Sequence, residues 1–433
     1  MAGTMEMAGL GPLAVATRRR ERDGLLAGAV GNLLEWYDFA IYGYFGAILG
    51  RAFFPAENPT TSLLSALAVF AAAFFMRPLG GILFGHIGDR HGRGRALVLS
   101  AALMTVSTVT IGCLPTYETA GLAAPVLLVV LRLAQGLSVG GEYTSSVIFL
   151  VERSPARRRG LFGSFACSSA GGGMLLGSLA GVGVTSLLEP AEVAAWGWRI
   201  PFLLGLGLGL FILVLRRRLG EEAAQDARDA ARSPLREALA TEGGTMLRAG
   251  LMTMAPAASF YIAFVYLVTF LQSQDGVTEH AAFLLNTVAM LMVIGATPLM
   301  AALSDRVGRK RLLTVLTAGL AVAGWPLFSL IDTRSWPLIL AGQAGFAVLV
   351  GGILALLPAT LVEMTRARTR CTAMAVSFNA AMALFGGTAP MVAAALVQRA
   401  GLPTSPGLYI AALAALSLVA VATLRDRTGQ PLD

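Results

Sequence analysis

Charge is what this chain has least of: only 13% of its 433 residues are Asp, Glu, Lys or Arg. Such a chain carries more apolar surface than a soluble core can hide, which points to a bilayer as its solvent. Lysine is nearly missing, since Lys310 stands alone, so the net charge of +8 is an arginine charge. Cysteine is confined to Cys113, Cys167 and Cys371. Their spacing fits neither a metal site nor a disulfide framework, and all three are expected to be small packing residues in or beside apolar segments. No nucleophile, base and orienting group fall into catalytic spacing, and no phosphate-cradling Gly-x-x-x-x-Gly-Lys occurs, which argues against an enzyme and against an ATP-driven pump. Gly205-Leu-Gly207-Leu-Gly209 has the outline of a dinucleotide loop, but it lies inside an apolar run with no strand before it. A cleavable leader is not expected, because the few apolar N-terminal residues are followed by Arg18, Arg19, Arg20 and Arg22, whereas a signal places its basic residues first.

What the chain does have is hydrocarbon, with 56% hydrophobic residues and a mean hydropathy of +0.70. Crossing ~30 Å of acyl chain takes roughly 20 helical residues. Stretches of that kind recur near 25–49, 62–85, 96–115, 122–151, 160–188, 200–215, 248–271, 281–303, 312–331, 336–363, 371–398 and 405–424, which predicts twelve spans. Arginines crowd the N-terminal tail and the loops at 90–95, 153–159, 216–248, 306–311, 366–370 and 425–427, which are alternate loops of a twelve-span chain. That bias excludes nucleic acid as the reason for the charge and places both termini in the cytoplasm.

Two loop sequences occur twice. Gly85-His-Ile-Gly-Asp89-Arg90-His-Gly92-Arg93-Gly-Arg95 is echoed by Leu303-Ser-Asp305-Arg306-Val-Gly308-Arg309-Lys310-Arg311, about half the chain length away. Val151-Glu152-Arg-Ser-Pro-Ala156-Arg157-Arg-Arg159 is echoed by Val362-Glu363-Met-Thr-Arg-Ala367-Arg368-Thr-Arg370. The expected division is a tail over 1–24, a six-helix bundle over 25–215, a charged linker over 216–247, a second six-helix bundle over 248–424 and a tail over 425–433. An even number of spans per half gives parallel repeats related by an axis along the membrane normal, the plan of a rocking transporter with its site between the halves near the midplane. In the loops, Gly85 and Gly92 permit close helix approach. Asp89, Arg90 and Arg93, with their counterparts Asp305, Arg306, Gly308 and Arg309, are candidates for a latch that is made and broken in each cycle, each helix-end charge being worth about 0.3–1 kcal/mol.

An ionisable group inside a span costs on the order of 3 kcal/mol, so each one is a site candidate. Glu35 and Asp38 share a helical face with Asn32; Arg77 lies eight residues before Gly85, and Arg132, Gln135 and Glu142 share a stripe of the fourth span. Arg77 and Arg132 can grip a carboxylate bidentately, while Glu35, Asp38 and Glu142 can change protonation state, with Arg132 coupled to them. Competition of substrate and carboxylates for the arginines would couple solute to proton. The alternative is permanent pairing that only locks the first half together. The second half offers mainly uncharged candidates, of which Tyr261 and Asn379 are the picks for substrate contact, with Tyr37 and Gln135 from the first half. Pro256, Pro298, Pro358 and Pro390 are expected to kink their spans.

The Gly85–Arg95 loop and its copy resemble the signature loops of the major facilitator superfamily, with Ala301 in place of the usual leading glycine of the second. Gly31-Asn-Leu-Leu-Glu35-Trp36-Tyr37-Asp38-Phe39, Met76-Arg77-Pro78-Leu-Gly80-Gly81, Gln135-Gly136-Leu-Ser-Val-Gly140-Gly141-Glu142-Tyr143 and Trp196-Gly-Trp198-Arg199-Ile-Pro201-Phe202 resemble the metabolite:proton symporter family within it. The resemblance implies an all-α membrane protein of twelve transmembrane helices in two pseudo-symmetric six-helix bundles. It also implies transport of small carboxylates or zwitterions with protons, and no cofactor or metal beyond the proton as coupling ion. Arg132-x-x-Gln135-Gly136 resembles the fourth-span motif that the superfamily associates with proton coupling, and the fifth-span glycines at 171–173 and 177 lack the proline of the antiporter motif.

The leading expectation is proton-coupled import of a di- or tricarboxylate such as citrate or 2-oxoglutarate, motivated by two buried arginines. Alternatives are a proline/betaine-type zwitterion symporter, in which Trp36, Tyr37 and Tyr143 face a quaternary ammonium, a proton-driven efflux antiporter, and a non-transporting membrane sensor. The expected partners are the solute and the lipid bilayer, with the chain acting as a monomer. The Ala-, Arg- and Gly-rich, lysine-poor composition suggests a bacterial inner membrane.

Overall fold

The computed structural model describes residues 32–91, 93–140, 142–223, 235–273 and 277–432, and within them it is helical throughout. The expected N-terminal tail, Gly92 and the side chains of Asp89 and Arg93 lie outside the described residues. Helix α1 comprises residues 32–53, where the first predicted span falls, with a break at residue 45. It is followed by α2 (Pro59–Ile87), α3 (Arg95–Cys113), α4 (Ala123–Glu152), α5 (Ala156–Leu187) and α6, a bent pair (Pro190–Gly197 and Arg199–Val214). The second half is α7 (Glu237–Gln272), α8 (Glu279–Val307), α9 (Arg309–Ile331), α10 (Trp336–Met364), α11 (Arg370–Ala400) and α12 (Ser405–Ala422). Among the described residues ten helices are long and apolar enough to cross a membrane, eleven with the bent pair. With α1 they occupy the twelve expected positions.

Packing follows the duplication. In the first half α3 lies against α6, and in the second α9 lies against α12. The halves meet where α5 packs on α8 and α2 packs on α11, two contacts exchanged by the pseudo-symmetry. The outward faces carry exposed Leu204, Phe211, Val322, Leu416 and Val419, the dress of a lipid-facing surface. Inside the first half, α2 and α4 cross with their backbones in contact. A Cβ on Gly80 would sit 1.9 Å from the Leu137 carbonyl oxygen, and one on Gly136 would sit 2.0 Å from that of Ala73. Only glycine permits that approach, and the crossing fixes Arg77 on one helix and Arg132 on the other.

The charged linker is helical where it is described: the sixth-span helix runs on to Ala223 and the seventh begins at Leu235. The early part of that helix is docked, because Glu242 is buried against the Thr369 hydroxyl and the Arg366 amide, and Glu237 pairs with Arg368 at 3.0 Å. Cys113 and Cys371 are exposed instead of packed, and only Cys167 is partly enclosed. Pro256, Pro298 and Pro358 sit inside their helices as expected of kink positions, and π-helical turns occur at Val193–Gly197, Ile262–Tyr266 and Met382–Gly387. Pro390, which has no amide to bond back toward the preceding turn, follows directly on the last of these.

Candidate functional site

The buried charges of the first half fall into two groups. The first centres on Asp38. Asp38 receives Arg132 Nη1 at 3.0 Å on Oδ2, and on Oδ1 it receives Thr108 Oγ1 at 2.7 Å and Gln135 Nε2 at 2.5 Å. Arg132 also donates to Gln135 Oε1 at 2.8 Å, and its guanidinium carbon lies 4.2 Å from the Tyr42 ring centroid. All of these side chains are buried within the first bundle. Arg132 and Gln135, expected to hold substrate, are bonded to Asp38 here, while Arg132 Nε and Nη2 are buried with no hydrogen-bond partner among the described residues.

The second group lies at the junction of the halves. Arg77 Nη2 stands 3.5 Å from Glu35 Oε1, longer than a hydrogen bond, and both residues are buried. The Arg77 guanidinium lies over Phe74 at 4.3 Å, Phe39 at 4.7 Å and Trp36 at 5.9 Å. Trp36 stacks with Tyr261 of α7 at 6.4 Å and meets Tyr143 edge-on at 6.0 Å. Tyr143 in turn stacks on Phe378 of α11 at 5.1 Å. One bundle therefore supplies Trp36 and Tyr143, the other Tyr261 and Phe378, and the pair Glu35–Arg77 borders them. Among the described residues Trp36 Nε1 and the Tyr261 hydroxyl are buried with no hydrogen-bond partner, leaving two donors open to a guest. Glu35 and Glu142 line one small cavity with Ser100 and Ser138, which has about 10 Å³ for water, on the order of a single molecule.

Local backbone explains these placements. Tyr261 ends the regular part of its helix immediately before the Ile262–Tyr266 π turn. The Met382–Gly387 π turn brings Gly387 to where its Cβ would lie 2.7 Å from the Phe74 ring, so α2 and α11 touch beside the cluster. Tyr37, one residue from Trp36 and so turned about a quarter of the helix away, donates to the Pro201 carbonyl at 2.6 Å on the sixth span. Asn379 is buried on α11, but among the described residues no hydrogen bond joins it to the cluster. Phe74 and Phe378 escaped the sequence reading because an aromatic in an apolar span carries no mark distinguishing an inward ring from a lipid-facing one.

In the second copy of the loop, Asp305, bonded to Arg309, makes contacts that span the two halves. Asp305 accepts the amides of Gly160 and Leu161, both at 2.9 Å, at the start of α5 in the opposite half, where a helix N-terminus favours an anion. Arg309 donates to Asp305 at 3.0 Å and to Glu363 through Nε at 2.6 Å and Nη2 at 2.9 Å. Gly308 adopts a φ of 95°, open to glycine at little cost. Of the others, Arg90 is exposed, a Cβ on Gly85 would meet nothing, and Arg306 is exposed. The duplicated Glu and Arg of the second loop pair crosswise: Glu152 binds Arg370, and Glu363 faces Arg159 at 3.9 Å. Arg159, Glu363 and Arg370 are buried, and the echo of one loop by the other was the signal that they belong together. At the opposite end of the molecule Ser178 of α5 bonds Thr287 of α8 at 2.8 Å, and Thr185 meets His280 Nδ1 at 3.2 Å, so the halves touch at both ends.

Two like bundles closing at both ends over a buried ion pair define a multi-pass solute transporter. The profile of the Sugar (and other) transporter family matches residues 25–221, and that of the Major Facilitator Superfamily matches 249–432. A proline/betaine transporter of Escherichia coli (strain K12) is 33% identical over 424 residues, covering 95% of this chain and 85% of its own. An alpha-ketoglutarate permease of the same organism is 36% identical over 418 residues, covering 95% of both. A glycine betaine/proline/ectoine/pipecolic acid transporter, OusA, of Dickeya dadantii (strain 3937) is 34% identical, covering 95% of this chain and 85% of its own. The proton:xylose symporter XylE superposes with a TM-score of 0.75 over 96% of this chain and 98% of its own, at 18% identity, a likeness of fold alone. The chain belongs to the major facilitator superfamily, as a metabolite:proton symporter and not an enzyme.

Proposed function

We propose that the protein imports a small zwitterion of the proline/betaine kind together with protons, by alternating access, across a bacterial inner membrane with both termini cytoplasmic. The observation that carries this reading is the ring set Trp36, Tyr143, Tyr261 and Phe378, drawn from both halves and bordered by the Glu35–Arg77 pair. Aromatic faces attract a desolvated ammonium by about 2 kcal/mol. In the proposed bound state the ammonium lies against those rings and Glu35, and the carboxylate takes Arg77 with the Trp36 and Tyr261 donors. Glu35 then exchanges Arg77 for a proton, with Glu142 across the cavity they both line as its route, and Asp38–Arg132 responds to the change in charge. The Asp305–Arg309–Glu363 assembly is the latch of the basic, cytoplasmic side.

The expected dicarboxylate is the second reading. It is favoured by the similarity to an alpha-ketoglutarate permease and weakened by the commitment of Arg132 to Asp38, which leaves one guanidinium near the rings instead of two. Proteoliposomes with an inward proton gradient, offered labelled betaine, proline and 2-oxoglutarate, distinguish them. Betaine or proline is expected to accumulate and to leak away on adding a protonophore. Accumulation of 2-oxoglutarate that excess betaine does not reduce would overturn the proposal.

A further inference from the structure

We infer that the segment Arg425–Gln430 is a third part of the basic-side gate, a strap that travels with the second half and holds the first only while that side is closed. Its anchorage on the second half is threefold. Asp426 accepts the Lys310 amide at 3.2 Å, and its Oδ2 fills the space where a Cβ on Gly308 would stand 2.7 Å away. Thr428 Oγ1 accepts the Arg309 amide at 3.1 Å, so the two residues together cap α9, whose first amides would otherwise be unsatisfied. Arg427 donates to the Glu363 carbonyl at 3.3 Å. The strap is internally braced, because Asp426 Oδ1 receives the Thr428 amide at 3.0 Å and the Thr428 hydroxyl at 2.5 Å. Partial burial raises the Asp426 carboxyl, but these bonds and the Lys310 amide prevail and hold it below the ordinary carboxylate range.

The strap reaches the first half through Arg159, whose Nη1 donates to the Gln430 carbonyl at 2.5 Å. Arg159 is also 3.9 Å from Glu363, beyond hydrogen-bond reach, so Gln430 is its short contact across the junction. Gly160 and Leu161, the next residues, are those whose amides Asp305 holds. Separation of the halves on this side must break Arg159–Gln430, while the better-anchored strap stays on α9. The strap therefore offers its carbonyl to Arg159 only in the closed arrangement, and weakening it shifts the population toward the open one.

Hydrogen exchange of the reconstituted full chain tests this without reference to substrate. Two variants are compared with the parent, one ending after Leu424 and one carrying Asp426→Ala with Thr428→Val, the second retaining the chain in case the first does not fold. Amides of residues 156–165, in the opposite half, are expected to exchange on the order of tenfold faster in either variant, the size of effect expected from losing one or two hydrogen bonds. Faster exchange confined to residues 308–312, with 156–165 unchanged, would reduce the strap to a local helix cap and overturn the inference.

Discussion

At the scale of single residues, the junction is governed by Arg77 and by the rings around it. Replacing Arg77 by Gln removes the cation beside the buried Glu35 carboxylate, and breaking a buried pair in this way costs about 3–5 kcal/mol. Thermal unfolding in detergent is expected to show a marked loss for Arg77→Gln and recovery in the double variant with Glu35→Gln, while transport stays abolished in both. Arg77→Lys keeps the charge but loses the planar face that lies over Phe74 at 4.3 Å, so it is expected to restore stability better than flux. Trp36→Ala or Phe378→Ala is expected to raise the KM for betaine about tenfold, the equivalent of about 1.4 kcal/mol, with a smaller effect on maximal rate. Equal KM values in parent and variants would remove the rings from the site. The residue scale is also where sequence legibility ends. The cost of burying charge singled out Glu35, Asp38, Arg77 and Arg132 correctly as buried, yet helical periodicity gives only the face a side chain occupies. Which neighbour fills that face is a tertiary fact, so the contact of Arg132 with Asp38 and that of Tyr37 with Pro201 had to come from the structure.

At the scale of helices, most was legible. Lengths of apolar sequence, alternating arginine loops and the duplicated motifs located the bundles, because hydrocarbon forces the backbone to satisfy itself as helix. The π turns were not, since they depend on how α7 and α11 meet the other half and leave no fixed residue pattern. The α2–α4 crossing gives a prediction of its own. Gly80→Ala and Gly136→Ala place a methyl within 2.0 Å of a neighbouring carbonyl oxygen and are expected to lower the melting temperature or prevent folding, whereas Gly207→Ala, which would meet nothing within 4 Å, is expected to be silent. Size-exclusion profiles and thermal unfolding of the three variants provide the check. The early start of the seventh-span helix belongs here too: its charged composition reads as linker, but Glu242 has its partners at the head of α11, far along the sequence.

For the whole molecule, the question is how two bundles remember which side is shut. Glu152–Arg370 joins them on the basic side, and charge reversal there provides a direct test. Glu152→Arg alone places two cations together and is expected to cut proton-driven accumulation at least several-fold. Combining it with Arg370→Glu is expected to recover much of the loss, measured as steady-state uptake in proteoliposomes. Failure of the exchanged pair to recover would mean that the contact serves position more than charge. Ser178→Ala, which removes a bond between α5 and α8 at the other end, is expected to favour opening there and to leave exchange of residues 156–165 unchanged.

The crosswise pairing of the repeats has an evolutionary corollary. Glu152 is answered by Arg370 of the twin repeat, and Glu363, held by Arg309 of its own half, also faces Arg159 of the other, so neither half can drift in these loops without correction in the other. Hybrids spliced at the midpoint from distant relatives should consequently assemble yet fail to lock, unless both copies of the loop are imported from one parent.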